Sequence, residues 1–450
     1  MTQFAIKSKN IFTPKGLLNG FVIVNGTKIL DVVEKLNSAF VGTIEECNDC
    51  VVMPGLIDPH VHINEPGRSH WEGFETATKA AAAGGITSLI EMPLNASPVT
   101  TNTKNFKIKL DATHNKLSVN CGFWGGVIPD NETDLEQLLC SGVFGLKAFL
   151  THSGIDDFPN TSAIHLRKAL QILKKHKLPL LVHCELEATN PNAELLNQHP
   201  NSYLAYLASR PKSWENNAIQ LMIDLCRESN SRVHIVHVSS SEALPLIAAA
   251  KKEGLPITAE TCPHYLFFDS ESIHDGATEF KCAPPIRERQ NNEKLWQALL
   301  DGTLDFVASD HSPAPPDLKE MQSGNFKKAW GGIASLQFSL PALWTAAKER
   351  GIEVGGISNW MSSNVSNFLK LDKTKGKIEK GFDADIVVWN PNKKFKVSAE
   401  MILHRHKITP YLGKELYGCV EQTYLNGRKV FDAGKFLNLN TGTVLMASNT

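Results

Sequence analysis

The 450-residue chain lacks the features that would place it at a membrane or on a nucleic acid. It has no run of about 18 apolar residues, so we expect no transmembrane helix. Residues 1–7 have neither an apolar core nor a small-residue cleavage site, and we therefore expect no secretory signal. The formal net charge is −1 at pH 7, which excludes the strongly basic surface that nucleic acids or acidic membranes attract.

A cysteine framework is also missing. The nine cysteines are an odd number scattered along a long chain, which fits a reducing compartment better than a disulfide scaffold. We therefore expect a cytoplasmic protein. Cys47 and Cys50 form a lone C-x-x-C, and no second pair follows with the spacing of a zinc site. We interpret both as plain thiols that precede a strand.

The two ends of the chain differ in pattern from its middle. Each end contains short β-rich runs and an Asn-Gly hairpin turn, at Asn25-Gly26 and Asn426-Gly427. Because two β-rich ends can pair, we predict one small β-sandwich domain formed by both chain ends. The predicted domain boundaries are 1–53 and 376–450 for the two parts of the sandwich and 54–375 for the central domain.

The middle alternates eight strand-like runs with helical stretches. Such alternation is typical of parallel sheets, and eight units predict an α/β fold of the (β/α)8 barrel type. The predicted strands cover residues 56–63, 86–92, 117–124, 143–150, 179–183, 233–238, 256–261 and 304–309. The predicted helices include residues 74–83, 134–139, 165–176, 215–227, 241–252 and 293–300.

Six polar residues lie late in these strands or directly after them: His60, His62, Lys147, His183, His237 and Asp310. Barrel enzymes carry their chemistry at the C-terminal ends of the strands, so we expect the six side chains to converge. Two histidines separated by one residue on a strand share one face, and imidazole suits zinc and similar ions. The positions predict a metal centre, although the histidine pair alone is also compatible with hydrogen-bonded structural histidines.

Lys147 and Asp310 add more specific chemistry. Lys147 lies in an apolar run, where an isolated ammonium is costly unless it is partnered, modified or able to reach solvent. A lysine that has added carbon dioxide becomes a carbamate, whose two oxygens can bridge two cations. A metal lowers the pKa of bound water to roughly 7, and a carboxylate such as Asp310 can move its proton to a leaving nitrogen. The alternative for Asp310 is a helix N-cap.

Other histidines are weaker candidates. His264 follows the seventh predicted strand, and we interpret it as a polar lining residue outside the ligand set. A second H-x-H, formed by His404 and His406, lies beyond the barrel in a basic stretch, where we do not expect a metal.

These residues and their surroundings resemble the cyclic amidohydrolase family of dihydroorotases, hydantoinases and allantoinases. The resemblance covers nearly the whole chain, including Met-Pro-Gly-Leu-Ile-Asp at 53–58, Gly-Phe-Asp-Ala-Asp at 381–385 and Pro-Tyr-Leu-Gly at 410–413. The family implies a binuclear centre of two divalent ions, zinc or else cobalt, manganese or iron.

By position, the resemblance assigns every candidate ligand. His60 and His62 would hold one ion together with Asp310, and His183 and His237 would hold the other. Lys147, carboxylated by carbon dioxide, would bridge the two ions. Family members also imply a homo-oligomer, a tetramer.

The substrate prediction rests on fewer positions. Dihydroorotases typically place an arginine two residues after the second histidine, where it grips the substrate carboxylate, but this chain has Asn64. An amide suits allantoin, which is neutral and carries a ureido arm. The segments that are similar to allantoinases are His-Ile-Asn-Glu-Pro-Gly-Arg at 62–68, Glu-Met-Pro-Leu-Asn at 91–95, Ser-Asp-His-Ser-Pro at 309–313 and Trp-Gly-Gly-Ile at 330–333.

The resemblance therefore implies hydrolysis of the ring amide of allantoin to allantoate by a metal-bound hydroxide. The residues that it places near the substrate are Asn64, Asn95, His152, Ala283 and Gly331, with Arg68 as a further candidate. A dihydroorotase or a hydantoinase is the enzymatic alternative. A non-enzymatic barrel that serves as an assembly scaffold is the alternative from another class, and such proteins lose metal ligands.

Overall fold

A computed structural model describes residues 3–47 and 49–447. Residues 1–2 and 448–450, at the outer ends of the predicted terminal parts, lie outside the described residues, as does residue 48. The prediction of a (β/α)8 barrel with a small β-sandwich from both chain ends is confirmed. No helix in the described part of the chain is long and apolar enough to cross a membrane.

The strands belong to a terminal sheet and to the barrel. The N-terminal strands are β1 (Phe4–Thr13), β2 (Gly16–Asn25), β3 (Lys28–Val33), β4 (Thr43–Glu46) and β5 (Val51–Pro54). The barrel strands are β6 (Leu56–Val61), β7 (Ile86–Glu91), β8 (Asn120–Phe123), β9 (Gly125–Gly126), β10 (Leu146–Phe149), β11 (Leu180–His183), β12 (Val233–Ile235), β13 (Ile257–Thr261) and β14 (Phe306–Val307). The C-terminal strands are β15 (Ile386–Lys396), β16 (Glu415–Leu425), β17 (Arg428–Asp432) and β18 (Lys435–Phe436).

Helices follow the barrel strands and confirm the predicted helical stretches. They are α1 (Phe74–Ala83), α2 (Thr103–Ala112), α3 (Glu132–Cys140), α4 (Ala163–His176), α5 (Leu195–Gln198), α6 (Tyr203–Ser209), α7 (Lys212–Ser229), α8 (Leu244–Lys252), α9 (Pro263–Phe267), α10 (Arg289–Leu300), α11 (Ser339–Glu349), α12 (Val354–Ser358) and α13 (Asn364–Phe368). In α4, Leu166, Leu170 and Leu173 are buried at helical spacing, and Ser162 forms a capping box with His165.

The barrel strands are parallel neighbours, with one interruption. The third predicted strand, 117–124, contains β8, and β9 follows it after Trp124, so that β8 pairs with β7 and β9 pairs with β10. The barrel closes between its first and last strands, where Val61 bridges His311 and the His62 N–H donates to the His311 carbonyl at 2.8 Å. This closure brings the end of β6 beside the residues that follow β14.

Residues 442–447 run along the barrel wall. The N–H of Cys121 in β8 donates to the Thr443 carbonyl at 3.0 Å, and the Leu445 N–H donates to the Cys121 carbonyl at 2.9 Å. This segment therefore forms hydrogen bonds with backbone groups of β8 that do not take part in its pairing with β7.

The terminal sheet has the strand order β18-β17-β16-β15-β5-β1-β2-β3, with β4 beside β1. Along β15, Val387 and Trp389 pack into the barrel core, whereas Val388 packs into a second core with Val22 and Val24 of β2. Because side chains alternate across a strand, one sheet covers the barrel on one face and closes its own core on the other. Cys47 and Cys50, just before β5, are free thiols as predicted.

Lys375 links the barrel to the terminal sheet through a buried ion pair. Its Nζ lies 2.5 Å from Asp385 Oδ2 and 3.0 Å from Asp383 Oδ2. Asp385 also accepts the Asn426 N–H at 2.7 Å, and its carbonyl accepts the Gly55 N–H at 2.8 Å. The ion pair therefore stabilises the place where the chain leaves the terminal sheet at Gly55 and re-enters it at Asp385.

Replacing Lys375 by Met should lower the free energy of unfolding by about 3 kcal/mol or more, because it leaves the buried carboxylate of Asp385 without its cation, whereas Asp383 is partly exposed and keeps Lys28 at 2.7 Å. Equilibrium urea unfolding followed by circular dichroism measures the change. Lys373→Met, at an exposed position two residues away, is the matched control and should unfold like the wild type. Equal midpoints for both variants would contradict the assignment.

Candidate metal centre

All six candidate metal ligands line one cleft at the C-terminal ends of the barrel strands. His60 lies on β6, Lys147 on β10 and His183 at the end of β11, while His62, His237 and Asp310 lie just beyond β6, β12 and β14. The predicted convergence of these side chains is therefore present in the structure.

His60, His62 and Asp310 form the first group of ligands. Their nearest ligand atoms all lie within 4.8 Å of one another, and all three residues are buried. Asp310 Oδ1 is 3.1 Å from His60 Nε2 and 3.5 Å from His62 Nε2. Two imidazoles and a carboxylate are a donor set that suits zinc and neighbouring first-row ions.

His183 and His237 form the second group. Nδ1 of His183 lies 3.0 Å from Nε2 of His237, and burial lowers the pKa of both rings, so that both are neutral. His183 Nε2 is 2.8 Å from Glu185 Oε2, and Arg210 contacts both oxygens of Glu185. A ligating histidine commonly donates its second N–H to a carboxylate in this way.

Lys147 lies in the same cleft with an unusual environment. Its side chain is fully buried, and its Nζ has no hydrogen-bond partner among the described residues. Burial lowers the pKa of Lys147 to about 8. Because the neutral amine is the form that adds carbon dioxide, this buried nitrogen fits a carbamate, and the donor sets on either side fit two divalent ions.

Glu260 is a residue of the site that the sequence analysis missed. This buried carboxylate on β13 contacts His60 Nδ1 at 2.5 Å and His234 Nε2 at 3.1 Å. Burial opposes the charge on His60, but Asp310 and Glu260 together raise the pKa of His60 to about 9. The available signal was that Glu260 is the one charged residue of the predicted strand 256–261.

Backbone strain is concentrated around the cleft. Asn64, Asn95, His237 and Asp310 have φ values of 66°, 65°, 40° and 45°, in the left-handed region that non-glycine residues rarely adopt. Asp58 supports this geometry, because its carboxylate accepts the N–H groups of His60 at 3.1 Å and of Ser309 at 3.2 Å. Such strain is characteristic of functional sites, where the surrounding structure maintains it.

The residues that the resemblance places near the substrate differ in position. Asn95, Ala283 and Gly331 line the cleft. Asn64 is fully buried, and its amide donates to the Pro313 carbonyl at 3.3 Å. His152 is exposed and lies 3.5 Å from Asp156, while the adjacent residue, Ser153, lines the cleft.

The remaining candidates lie outside the ligand set. His264 is buried, and neither ring nitrogen has a hydrogen-bond partner among the described residues. His406 Nε2 contacts the His70 carbonyl at 2.8 Å, and the ring of His404 packs 5.7 Å from that of His311. Arg68 donates to the Asn95 carbonyl at 2.9 Å, which links it to the cleft through the backbone.

Comparison with known proteins identifies the family of this chain. The profile of the amidohydrolase family matches residues 51–430. The chain belongs to the amidohydrolase family. Amidohydrolases are metal-dependent, in agreement with the donor groups described above.

Two curated relatives of this amidohydrolase are allantoinases. The allantoinase of Arabidopsis thaliana is 45% identical, over 99% of this chain and 91% of its own length. The allantoinase of Streptomyces avermitilis is 45% identical, over 96% of each chain. Among solved structures, the L-hydantoinase (dihydropyrimidinase) of Arthrobacter aurescens has a TM-score of 0.93 at 27% identity, covering 99% of this chain and 100% of its own.

Replacing Glu260 by Gln should weaken metal binding by about 10- to 100-fold, because the carboxylate orients His60 and raises its basicity. Competition with a chelator of known affinity measures the change. Glu349→Gln, at an exposed position on α11, is the control and should bind metal like the wild type. Unchanged affinity in the Glu260 variant would show that His60 is held without it.

Proposed function

We propose that this protein is an allantoinase, which hydrolyses the hydantoin ring amide of allantoin to allantoate. The observation that carries the proposal is the 45% identity to the Arabidopsis allantoinase over 99% of this chain. The six buried candidate ligands in one cleft support a working enzyme over a scaffold protein, which would have lost ligands.

The proposed cofactors are two divalent ions, with zinc ahead of cobalt, manganese or iron, and carbon dioxide bound as a carbamate on Lys147. His60, His62 and Asp310 would hold one ion, His183 and His237 the other, and Lys147 would contact both. When bound, the ions would polarise the amide carbonyl and provide a nucleophilic water at neutral pH. The cleft supports this assignment because its imidazoles are buried, and because Glu260 orients His60 and Glu185 orients His183.

Asp310 is the proposed catalytic residue. His60, together with His62, holds the pKa of this buried carboxyl well below its usual range despite its burial, so it is ionised and able to accept a proton at neutral pH. Its Oδ1 faces His60 and His62 and accepts the Ser312 hydroxyl at 3.3 Å. We propose that its other oxygen, Oδ2, carries the proton from water to the leaving ring nitrogen.

The cleft also supports a neutral substrate. No arginine is among the described residues that line it, so the cation expected for a carboxylate-bearing substrate such as dihydroorotate is missing. We propose that Asn95, Ala283 and Gly331 orient allantoin. Roles for Asn64 and His152 stay predictions, because the Asn64 amide is bonded to Pro313 and His152 is exposed.

The solved L-hydantoinase structure makes a hydantoinase the second candidate, although its 27% identity is well below that of the allantoinases. Steady-state assays with allantoin, dihydroorotate and unsubstituted hydantoin distinguish the candidates. We expect the highest kcat/KM for allantoin. Turnover of dihydroorotate or hydantoin without turnover of allantoin would contradict the proposal.

Replacing Lys147 by Ala should remove metal and reduce kcat by about a thousandfold, equivalent to roughly 4 kcal/mol of transition-state stabilisation. The physical reason is that the bridging ligand between the two ions would be lost. Elemental analysis and an allantoin assay on the same sample measure both effects. Lys107→Ala, at an exposed position on α2, is the control. Wild-type metal content and rate in the Lys147 variant would refute the bridge.

We also propose a cellular location and an oligomeric state. Buried free thiols such as Cys184 and Cys262 are typical of a reducing compartment, which supports a cytoplasmic location. The homotetramer rests on the family resemblance, and light scattering during size-exclusion chromatography tests it. The substrate is the only partner that we propose, with no role for nucleic acid or membrane.

A further inference from the structure

Lys319 is a buried lysine in the loop that follows β14. Its Nζ donates to the carbonyls of Lys281, Trp330 and Gly332 at 3.3, 3.0 and 2.9 Å. It forms no ion pair with any acid among the described residues, and its side chain is only 3% exposed. Burial, and then the neighbouring Lys281, lower the pKa of Lys319 to about 7. Three acceptors match the three donors of an ammonium group, so the charged form is the one that satisfies all three carbonyls.

The three carbonyls belong to the two loops that line one side of the cleft. Trp330 and Gly332 flank Gly331, and Lys281 lies two residues before Ala283. The Gly332 N–H also donates to the Lys281 carbonyl at 2.8 Å, which joins the loops directly. Lys319 does not itself line the cleft, so it contacts these cleft-lining segments from outside the cleft.

Most backbone carbonyls of the loop that contains Lys281 and Ala283 accept hydrogen bonds from within the protein. The carbonyls of Cys282, Pro284, Pro285 and Ile286 accept the hydroxyls of Tyr206, Tyr265, Ser239 and Tyr203 respectively. Across the described residues, neither the N–H nor the carbonyl of Ala283 or of Gly331 has a hydrogen-bond partner. Both residues line the cleft, so their free groups are available to a ligand.

The Trp330–Gly331 peptide shows how Lys319 would act on the substrate. In a planar trans peptide, the carbonyl of one residue and the N–H of the next point in opposite directions. When Lys319 holds the Trp330 carbonyl from behind, the Gly331 N–H of the same peptide is directed away from the lysine. A charge-assisted bond to the carbonyl also polarises the peptide and strengthens the N–H as a donor.

We propose that Lys319 is a positioning residue for the substrate, which holds the Trp330–Gly331 peptide so that the Gly331 N–H is presented to the cleft. This inference rests on the proposed allantoinase function for the identity of the ligand. Tyr206 has the corresponding role for Ala283, because its hydroxyl holds the Cys282 carbonyl of the preceding peptide at 2.6 Å.

The test compares Lys319→Met, Lys319→Arg and Lys327→Met. The first variant keeps the apolar stem but removes the three donors, and the last is a matched control at an exposed position in the same loop. We expect Lys319→Met to raise KM for allantoin by about tenfold or more, with a smaller effect on kcat, because binding geometry is lost while the metal ligands are intact. Metal content should equal that of the wild type. Lys319→Arg should recover part of the affinity, and Lys327→Met should be unchanged.

Hydrogen–deuterium exchange provides a readout that does not depend on activity. The Gly332 N–H should exchange faster in Lys319→Met than in the wild type, since the two loops are no longer joined through the ammonium. If the wild type does not turn over allantoin, the proposed function fails, and the exchange result still tests the position of the loops.

Wild-type KM and exchange in Lys319→Met would overturn the inference, as would a defect explained entirely by lost metal. If Lys319→Met does not fold, Tyr206→Phe together with Lys319→Arg carries the test. Each should then raise KM without loss of metal, and unchanged KM in both would overturn the inference.

Discussion

The hydrogen bond between the His62 N–H and the His311 carbonyl, 2.8 Å long, lies where the first and last barrel strands meet. On one side of this junction are His60 and His62, and on the other is Asp310. Asp58 reinforces it by accepting the N–H groups of His60, on β6, and of Ser309, just after β14. Without this closure, the histidines and the carboxylate would belong to opposite edges of an open sheet, and their ligand atoms would not meet within 4.8 Å.

The farther a residue lies from the metal ligands, the harder its role was to predict from the sequence. The H-x-H pair and the aspartate could be predicted because strand ends converge in a barrel, and that rule depends only on the order of strands and helices. Glu260 and Glu185 could not be assigned in this way, because their roles depend on which imidazole nitrogen faces them. The role of Lys319 was harder still to predict, since its partners are backbone carbonyls, which every residue carries.

In the fold, too, some features could be predicted from the sequence and others could not. Strand and helix positions followed from apolar periodicity, but the break at Trp124 and the course of residues 442–447 depend on contacts between distant parts of the chain. His152 is an instructive case at the cleft, because its place in the sequence suggested a substrate contact, yet the adjacent residue, Ser153, is the one that lines the cleft. In a loop, a shift of one residue redirects a side chain, and no periodic pattern fixes that register.

We propose that allantoin hydrolysis occurs at a centre of two metal ions. The most direct measurement is allantoin turnover during stepwise addition of zinc or manganese to the chelated, folded protein, with bound metal determined at each step. We expect activity to rise to a plateau at two ions per chain. Full activity without bound metal, or no allantoin turnover at two ions per chain, would refute a two-metal allantoinase.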